Sequence, residues 1–395
     1  MYRRLKWACY CTNLSMSVVG NLPPVLFLTF RELYGISYSR LGLLVLINFV
    51  TQLTVDVLFS FFSHRFPTSR TVRLMPALTA LGLMVYALWP FVFPQAVYAG
   101  LVAGTIIFSA SSGLNEVLTS PVIAAIPSED PDREMSKLHS VYAWGVVGVV
   151  LLATALLYWL GRDKWQWIAL GMTVLPIGAA VLFQTVEVPA LETPGKTSDA
   201  VAFLKNRGLW LCVAAIFLGG ASECTMAQWA SGYLEKAMGI PKVLGDALGV
   251  ALFAFMLGLG RTLYSRWGRR VETVLLAGSA GAFVCYTAAA LGQIPVLGLA
   301  ACALTGLCVS MLWPGSLLMA TARFPAGGVF VFAMMAAGGD LGASIGPQLI
   351  GAVTDAMIAT GATEQAGLRA GMLLAALFPL LAAVVYFKLR KEESG

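Results

Sequence analysis

The sequence predicts an all-α integral membrane protein, with twelve membrane-spanning helices arranged as two six-helix bundles. Three observations predict it. Of 395 residues, 58% are hydrophobic and only 12% are charged, where soluble domains carry about 25% charge. The apolar residues gather in runs of roughly 18–25, the length of a bilayer-spanning helix. One long polar stretch separates six runs from the next six.

The first run, 8–30, follows the basic start MYRRLK, which carries no cleavage motif. It reads as a retained helix that acts as its own insertion signal. Runs at 41–62, 73–93, 96–126, 138–161 and 165–186 complete an N-terminal bundle, residues 1–186. The stretch TVEVPALETPGKTSDAVAFLKNR follows, with two prolines and a glycine that stop a helix, and residues 187–207 are its linker. Runs at 208–234, 244–264, 272–291, 294–320, 328–355 and 366–388 form the C-terminal bundle, residues 208–395.

Lys and Arg orient the helices. If the N-terminus is cytoplasmic and all twelve runs span, 19 of the 26 basic residues fall in the termini, the linker and the cytoplasmic loops. The net charge of +6 is therefore a topology signal. It does not point to nucleic acid, because no basic stripe with interleaved aromatics lies outside the apolar runs. All seven cysteines fall inside the runs and read as free thiols packed among helices, with no disulfide or metal spacing.

The two halves repeat each other weakly. A shift of 198 residues lays Pro127 on Pro325, Gly148 on Gly346, Glu116 on Pro314 and Tyr142 on Asp340. A shift of 204 lays LYGIS on AMGIP, and Pro24 on Gln228. Basic loops recur after the second and eighth runs, SFFSHRFPTSRTVR and RTLYSRWGRRVE. There they can cap helix ends and pair with lipid phosphates.

Twelve spans, two halves, a central linker and these two loops resemble the major facilitator superfamily along the whole chain. That family's loop signature is roughly Gly-x-Leu-Ala-Asp-Arg-x-Gly-Arg-Arg. The first copy keeps only Arg65 of it, with Ser60, His64 and Pro67 at the other marked places. The second copy keeps Arg266, Gly268, Arg269 and Arg270. The resemblance implies the pseudo-symmetric major facilitator fold, with Arg65 and Arg266 in gating or structural roles.

An ionisable side chain at mid-bilayer costs about 2.5–3.5 kcal/mol on insertion scales, and is a functional candidate for that reason. The acids so placed are Asp56, Glu116, Glu223 and Asp340. In the first run Asn13, Ser17 and Asn21 form one polar stripe; in the second, Asn48, Gln52 and Asp56 form another. Such stripes are costly against lipid and should face the interior. Asp56 lies near the cytoplasmic end and suits a gating or structural role. Glu116 sits within the fourth run beside Asn115, after the small residues SASSG that let a neighbouring helix approach. Two readings fit it: an inter-helix hydrogen bond with no transport role, or a carboxylate in a central cavity that binds solute or carries a proton. A carboxylate suits the second, because desolvation favours its neutral form and wetting restores the charge.

The segment NEVLTSPVIAAIP followed by SKLHSVYAWG is similar to the fucose/glucose–galactose:proton symporter branch of that superfamily. The branch carries a helix-four glutamate five residues before a proline, as Glu116 precedes Pro121. Its helix-five polar residue lies three before a glycine, as Tyr142 precedes Gly145. The branch's helix-one aspartate falls at Pro24, which cannot ionise, and nearby Asn21 is polar but not acidic. ASECTMAQWASGY, in the seventh run, is also similar to uncharacterised bacterial transporters with SE…QWAS there.

In that run Glu223 accompanies Gln228 and Trp229, and Trp beside Gln suits a sugar: an apolar face for stacking and an amide for hydroxyls. The bland reading of the pair is a packed aromatic with a satisfied amide. Trp313 in the tenth run joins the candidate set. Asp340 overlays Tyr142 in the repeat and is a second proton candidate, in a run whose glycines permit close packing and whose Pro347 permits a bend. His139 opens the fifth run with Tyr142 and Trp144, and reads as a hydrogen-bonding residue or a proton relay.

No His-Glu-x-x-His, Gly-x-Ser-x-Gly or paired-histidine site occurs, and two histidines do not furnish a hydrolytic or metal centre, so an enzyme is not expected. The expected activity is proton-coupled import of a small polar solute, a sugar or sugar derivative. The proton gradient would stand in place of any cofactor, and solute, protons and lipids would be the only partners of a monomer in a bacterial cytoplasmic membrane. Drug antiporters of the superfamily carry Gly-Pro in helix five, where this chain reads AWGVVGVVLL. An efflux antiporter is the alternative, followed by a transport-inactive solute sensor.

Overall fold

The computed structural model describes residues 2–36, 38–191, 202–241, 244–268 and 270–393, and among them every regular element is helical. Helices α1 (Tyr2–Tyr34), α2 (Tyr38–Phe62), α3 (Thr68–Val92), α4 (Val97–Ala124) and α5 (Pro131–Leu160) each cross as one piece. The sixth segment is α6 (Trp165–Met172) continued by α7 (Val174–Gln184). After the linker come α8 (Arg207–Lys236), then a π-helical turn Gly245–Ala251 leading into α9 (Leu252–Trp267), then α10 (Val271–Leu291). The tenth segment is α11 (Pro295–Val309) with α12 (Leu312–Arg323), the eleventh α13 (Gly328–Ala359), and the twelfth α14 (Glu364–Ala375) with α15 (Leu377–Glu393).

Proline explains the three divided segments. It lacks an N–H and its ring crowds the carbonyl four residues before it. Pro176, Pro314 and Pro379 stand just past the interruptions, and the carbonyls they leave without a helical donor belong to Met172, Ser310 and Ala375. The Ser310 carbonyl matters below.

Among the described residues, eleven helices are long and apolar enough to cross a membrane. Helix α1 has 33 residues, about 50 Å at the helical rise, and its polar residues Thr12, Asn13, Ser15 and Ser17 are all shielded. Helix α5 begins at Pro131, seven residues before the apolar run does, because Asp132 and Glu134 favour its N-terminal turn.

The described residues pack as two compact units. One comprises residues 1–131, 141–200 and 326–333; the other comprises 132–140, 201–325 and 334–395. The first is centred on Phe30, Tyr86, Phe108 and Trp165, all buried. The Phe30 and Trp165 rings meet edge-on at 4.8 Å, and Tyr34 Oη accepts from Trp165 Nε1 at 3.0 Å and Gln166 Nε2 at 3.1 Å. Helices α3 and α4 touch closely: a Cβ on Gly104 would lie 2.6 Å from Tyr86 Cβ and 2.7 Å from its backbone. Small residues permit such contacts, which supply the packing that lipid cannot.

In the second unit α8 meets α13 the same way. A Cβ on Gly342 would fall 2.0 Å from the Phe217 carbonyl oxygen. Two buried tyrosines tie further helices to carbonyls: Tyr286 Oη donates to Ser222 O at 2.7 Å, and Tyr233 Oη to Ala289 O.

Of the two basic loops, the first places Arg65 exposed over the Phe62 ring, 5.3 Å from its centroid. In the second, Arg266 ends α9 exposed, and Gly268 passes so near Tyr264 that a Cβ would lie 2.4 Å from its carbonyl oxygen. Arg270 starts α10 in the left-handed region, φ 52°. Arg269 and residues 192–201 of the linker lie outside the described residues.

Candidate functional site

The polar side chains of the first unit lie on α1, α2 and α4, and all the stripe residues are buried or half-buried. Asn115 Nδ2 donates to Asn13 Oδ1 at 3.2 Å and to Met16 Sδ at 3.3 Å, and its Oδ1 accepts from Thr119. Its amide is thus occupied in joining α4 to α1. Asn48 Oδ1 accepts from Ser109 Oγ at 2.6 Å, joining α2 to α4. Asn21 Nδ2 returns to the Ser17 carbonyl at 2.9 Å. Gln52 is buried where α2 crosses Gly113. Asp56 is fully buried and its carbonyl accepts from Ser60 Oγ at 2.7 Å.

Glu116 is half-buried rather than enclosed. It stands one residue, about 100° around the helix, from the buried Asn115. Tyr142 is half-buried, and its Oη lies 3.7 Å from where a Cβ on Gly20 would be, so α5 and α1 are close there. Trp144 is 38% exposed.

In the second unit a cavity of about 330 Å³ is lined by Gln228, Trp229, Gly232, Pro347, Gln348 and Gly351. Trp229 Nε1 donates to the Pro347 carbonyl at 2.8 Å, which fixes the indole between α8 and α13. Gln228 is exposed toward it. Gln348 is a further lining residue; it follows Pro347 directly, and no periodic pattern in the sequence singles it out.

Glu223 stands five residues before Gln228, about 7.5 Å along α8. Both its oxygens accept from Arg261 Nη2, at 3.0 and 2.9 Å. The Arg261 side chain is 3% exposed and that of Glu223 12%. Arg261 Nε donates to the Ser310 carbonyl at 2.8 Å, the group that Pro314 leaves without a helical partner. Nη1 donates to the His139 carbonyl at 3.3 Å, and the Arg261 carbonyl accepts from Ser136 Oγ at 2.7 Å.

Two expectations are corrected here. Arg261 was counted with the basic cytoplasmic loop, but it lies inside α9 and is buried. Its carboxylate partner and two backbone carbonyls make that burial tolerable. A charged residue inside the run 244–264 was the visible signal. His139 does not open α5; it is more than two turns in, with Nε2 buried and without a hydrogen-bond partner.

The ring of Trp313 lies on the backbone of α13, where a Cβ on Gly339 would meet it at 2.3 Å. The next residue, Asp340, is buried, and its carbonyl accepts from Ser344 Oγ at 2.7 Å. Among the described residues no three His, Cys, Asp or Glu side chains converge as a metal site would require.

A profile of the Major Facilitator Superfamily matches residues 8–347. No curated protein sequence matches the chain. Among solved structures, the E. coli fucose:proton symporter FucP is similar, with a TM-score of 0.75 at 16% identity, covering 98% of this chain and 99% of FucP. The proton:xylose symporter XylE, bound to 6-bromo-6-deoxy-D-glucose, gives 0.79 at 14% identity over 98% and 95%. A bacterial homologue of the iron transporter ferroportin gives 0.73 at 13% over 99% and 100%. At these identities the likeness establishes the fold.

Proposed function

The chain belongs to the major facilitator superfamily, and from that premise we propose that it is a proton-coupled symporter that imports a small polar solute, a sugar or sugar derivative. It is a multi-pass membrane transporter. In this reading it works as a monomer in a bacterial cytoplasmic membrane, with solute, protons and lipids as partners. Two six-helix bundles, residues 1–186 and 208–395 joined by the linker 187–207, rock about a midplane site.

The observation that carries the reading is the cavity with Trp229 pinned on Pro347 and flanked by Gln228 and Gln348. A fixed indole offers a sugar's apolar face a stacking surface at little entropic cost, and two amides offer donors and acceptors to its hydroxyls. Glu116 supplies an ionisable group in the other unit, on the helix where the sugar:proton symporters carry theirs. Similarity in fold to two sugar:proton symporters agrees with this.

A thermal-shift screen of the purified protein against sugars, sugar acids, amino acids and nucleosides tests the solute class. Stabilisation by sugars alone is expected; stabilisation only by another class overturns it. Uptake into vesicles with a clamped pH gradient then fixes the coupling. Symport carries protons in the same direction as solute, and an efflux antiporter carries them against it.

A further inference from the structure

Arg369 is a charged side chain for which the transport reading has no task. It stands in the second turn of α14, five residues or about 7.5 Å in from Glu364. The headgroup layer on each side of a bilayer's hydrocarbon core is about 5–8 Å deep. A helix that starts at the water edge therefore carries Arg369 to the hydrocarbon boundary.

The protein serves this guanidinium poorly. Nη2 reaches Met238 Sδ at 3.9 Å, and a thioether is a weak acceptor. Nε is buried with no hydrogen-bond partner. None of the ion pairs among the described residues includes Arg369. Nε and Nη2 form one edge of the planar fork, the edge that takes two oxygens of a single oxyanion. Buried donors are satisfied as a rule, and a cation within a membrane segment faces a partner. Charge and donor geometry together call for an oxyanion.

Three segments of the second unit meet here. The sulfur that Arg369 touches lies 3.3 Å from where a Cβ on Gly298 would be, and the Met238 methyl 2.7 Å from it, so the start of α11 closes on Met238 only as glycine. Beside Met238, the Ala237 carbonyl accepts from Gln365 Nε2 at 2.8 Å, which ties α14 to the end of α8. Past Arg369, one face of α14 and α15 carries Leu373, Leu377, Leu380 and Val384, all exposed. Exposed apolar residues within a spanning segment face lipid. From Arg369 to Leu380 is about 16 Å of helix, close to the depth of one leaflet's hydrocarbon.

We propose that Arg369 binds the phosphate of a membrane phospholipid, with Met238 beside the headgroup and the face from Leu373 to Val384 as the track of an acyl chain. Free phosphate or an acidic solute offers the same oxyanion. The apolar face decides for lipid, because it begins one turn from the guanidinium and only a ligand with acyl chains gains from it. Met238 has three rotatable bonds and yields readily, so a phosphate oxygen can take the place of its sulfur at Nη2 while a second meets Nε. Any phosphodiester headgroup can make this contact, and an anionic one adds net attraction. The site rests on the membrane reading alone, and is independent of the solute and of its coupling.

The test uses the full-length protein in nonionic detergent and a phosphatidylglycerol with a photoreactive acyl chain, the adduct being mapped by fragment masses. Saturable labelling within residues 370–384 is expected. Excess unlabelled phosphatidylglycerol should suppress it; diacylglycerol and inorganic phosphate at the same concentration should not. Arg369→Gln should lower labelling of this segment about tenfold or more, the effect of losing one charge-assisted contact. Arg390→Gln, near the end of α15, should leave it unchanged. Arg369→Lys keeps the charge without the fork and should fall between the parent and Arg369→Gln; together with the competition on the parent, it decides the matter if the Gln variant does not fold. Equal suppression by diacylglycerol would make this an apolar lipid contact with no phosphate site, and equal suppression by inorganic phosphate would make it a site for free anions. Either result overturns the proposal, as does labelling that Arg369→Gln and Arg369→Lys leave at the parent's level.

Discussion

Nη2 of Arg261 lies 2.9 and 3.0 Å from the two carboxylate oxygens of Glu223, with both side chains withdrawn from solvent. Removing one partner of a buried pair leaves an uncompensated charge, at a cost of about 3–5 kcal/mol, whereas replacing both by neutral groups of similar volume can be nearly neutral. We expect Arg261→Met and Glu223→Gln each to lower the thermal-unfolding midpoint in detergent substantially. The double variant should recover much of the loss. Additive losses in the double variant would mean that the two residues do not act as a pair.

The close approach of α13 to α8 gives a sharper steric expectation. A methyl on Gly342 would sit 2.0 Å from the Phe217 carbonyl oxygen, and backbone cannot swing aside as a flexible side chain can. Gly342→Ala should cost about 1–3 kcal/mol, the usual range for overpacking. Gly171, whose Cβ would meet nothing within 4 Å, is the control. Fluorescence-detected size exclusion after a heat step compares them; equal melting of the two variants would refute the tight crossing.

Helix positions were legible in the sequence because a lipid-facing apolar run has a required length. Prolines 176, 314 and 379 were equally visible, but their consequence was not: only the fold shows that the carbonyl freed at Ser310 is met by Arg261. Arg261 itself was misassigned because it stands within a basic stretch, where neighbouring arginines do face out, and burial is a property of the partner helices. Asn115 was legible as an intramembrane polar residue, yet the hydrogen bonds that occupy its amide come from α1, about a hundred residues away in sequence. Gln348 was passed over because a lone amide after a proline has no periodic pattern. The pinned indole of Trp229 makes it part of a wall.

Topology rests on the basic-residue asymmetry, and its most direct probe lies in the linker, outside the described residues. Lys196 and its neighbours should face the cytoplasm. Ser198→Cys, in a background lacking accessible native thiols, should resist an impermeant maleimide in intact cells and react after lysis. Ready labelling in intact cells would invert the assignment.

At the cavity, Trp229→Ala, Gln228→Ala and Gln348→Ala should each weaken binding of the solute found by the stability screen. Loss of one stacking contact or hydrogen bond is worth about 1–3 kcal/mol, so affinity should fall about 5- to 150-fold. Trp229→Phe keeps a ring but removes the N–H held by Pro347 O, and should fall between the parent and Trp229→Ala. Calorimetric titration reads all four. Unchanged affinity throughout would make the cavity wall a packing feature only.

The last expectation concerns the proton carrier. Glu116→Gln keeps the side chain's shape and most of its hydrogen-bonding capacity but holds it neutral. Closure over solute should still occur, so exchange of labelled for unlabelled solute in proteoliposomes should survive. Accumulation driven by a pH gradient should be lost, because no proton is released on the return. A Glu116→Gln variant that still concentrates solute would exclude Glu116 as the carrier. Asp340→Asn is then the next substitution for the same assay. Asp340 is buried beside the Gly339 backbone that seats Trp313, and it is the other acid the sequence places near the cavity. Loss of accumulation with exchange intact in Asp340→Asn, and not in Glu116→Gln, would move the coupling site from α4 to α13.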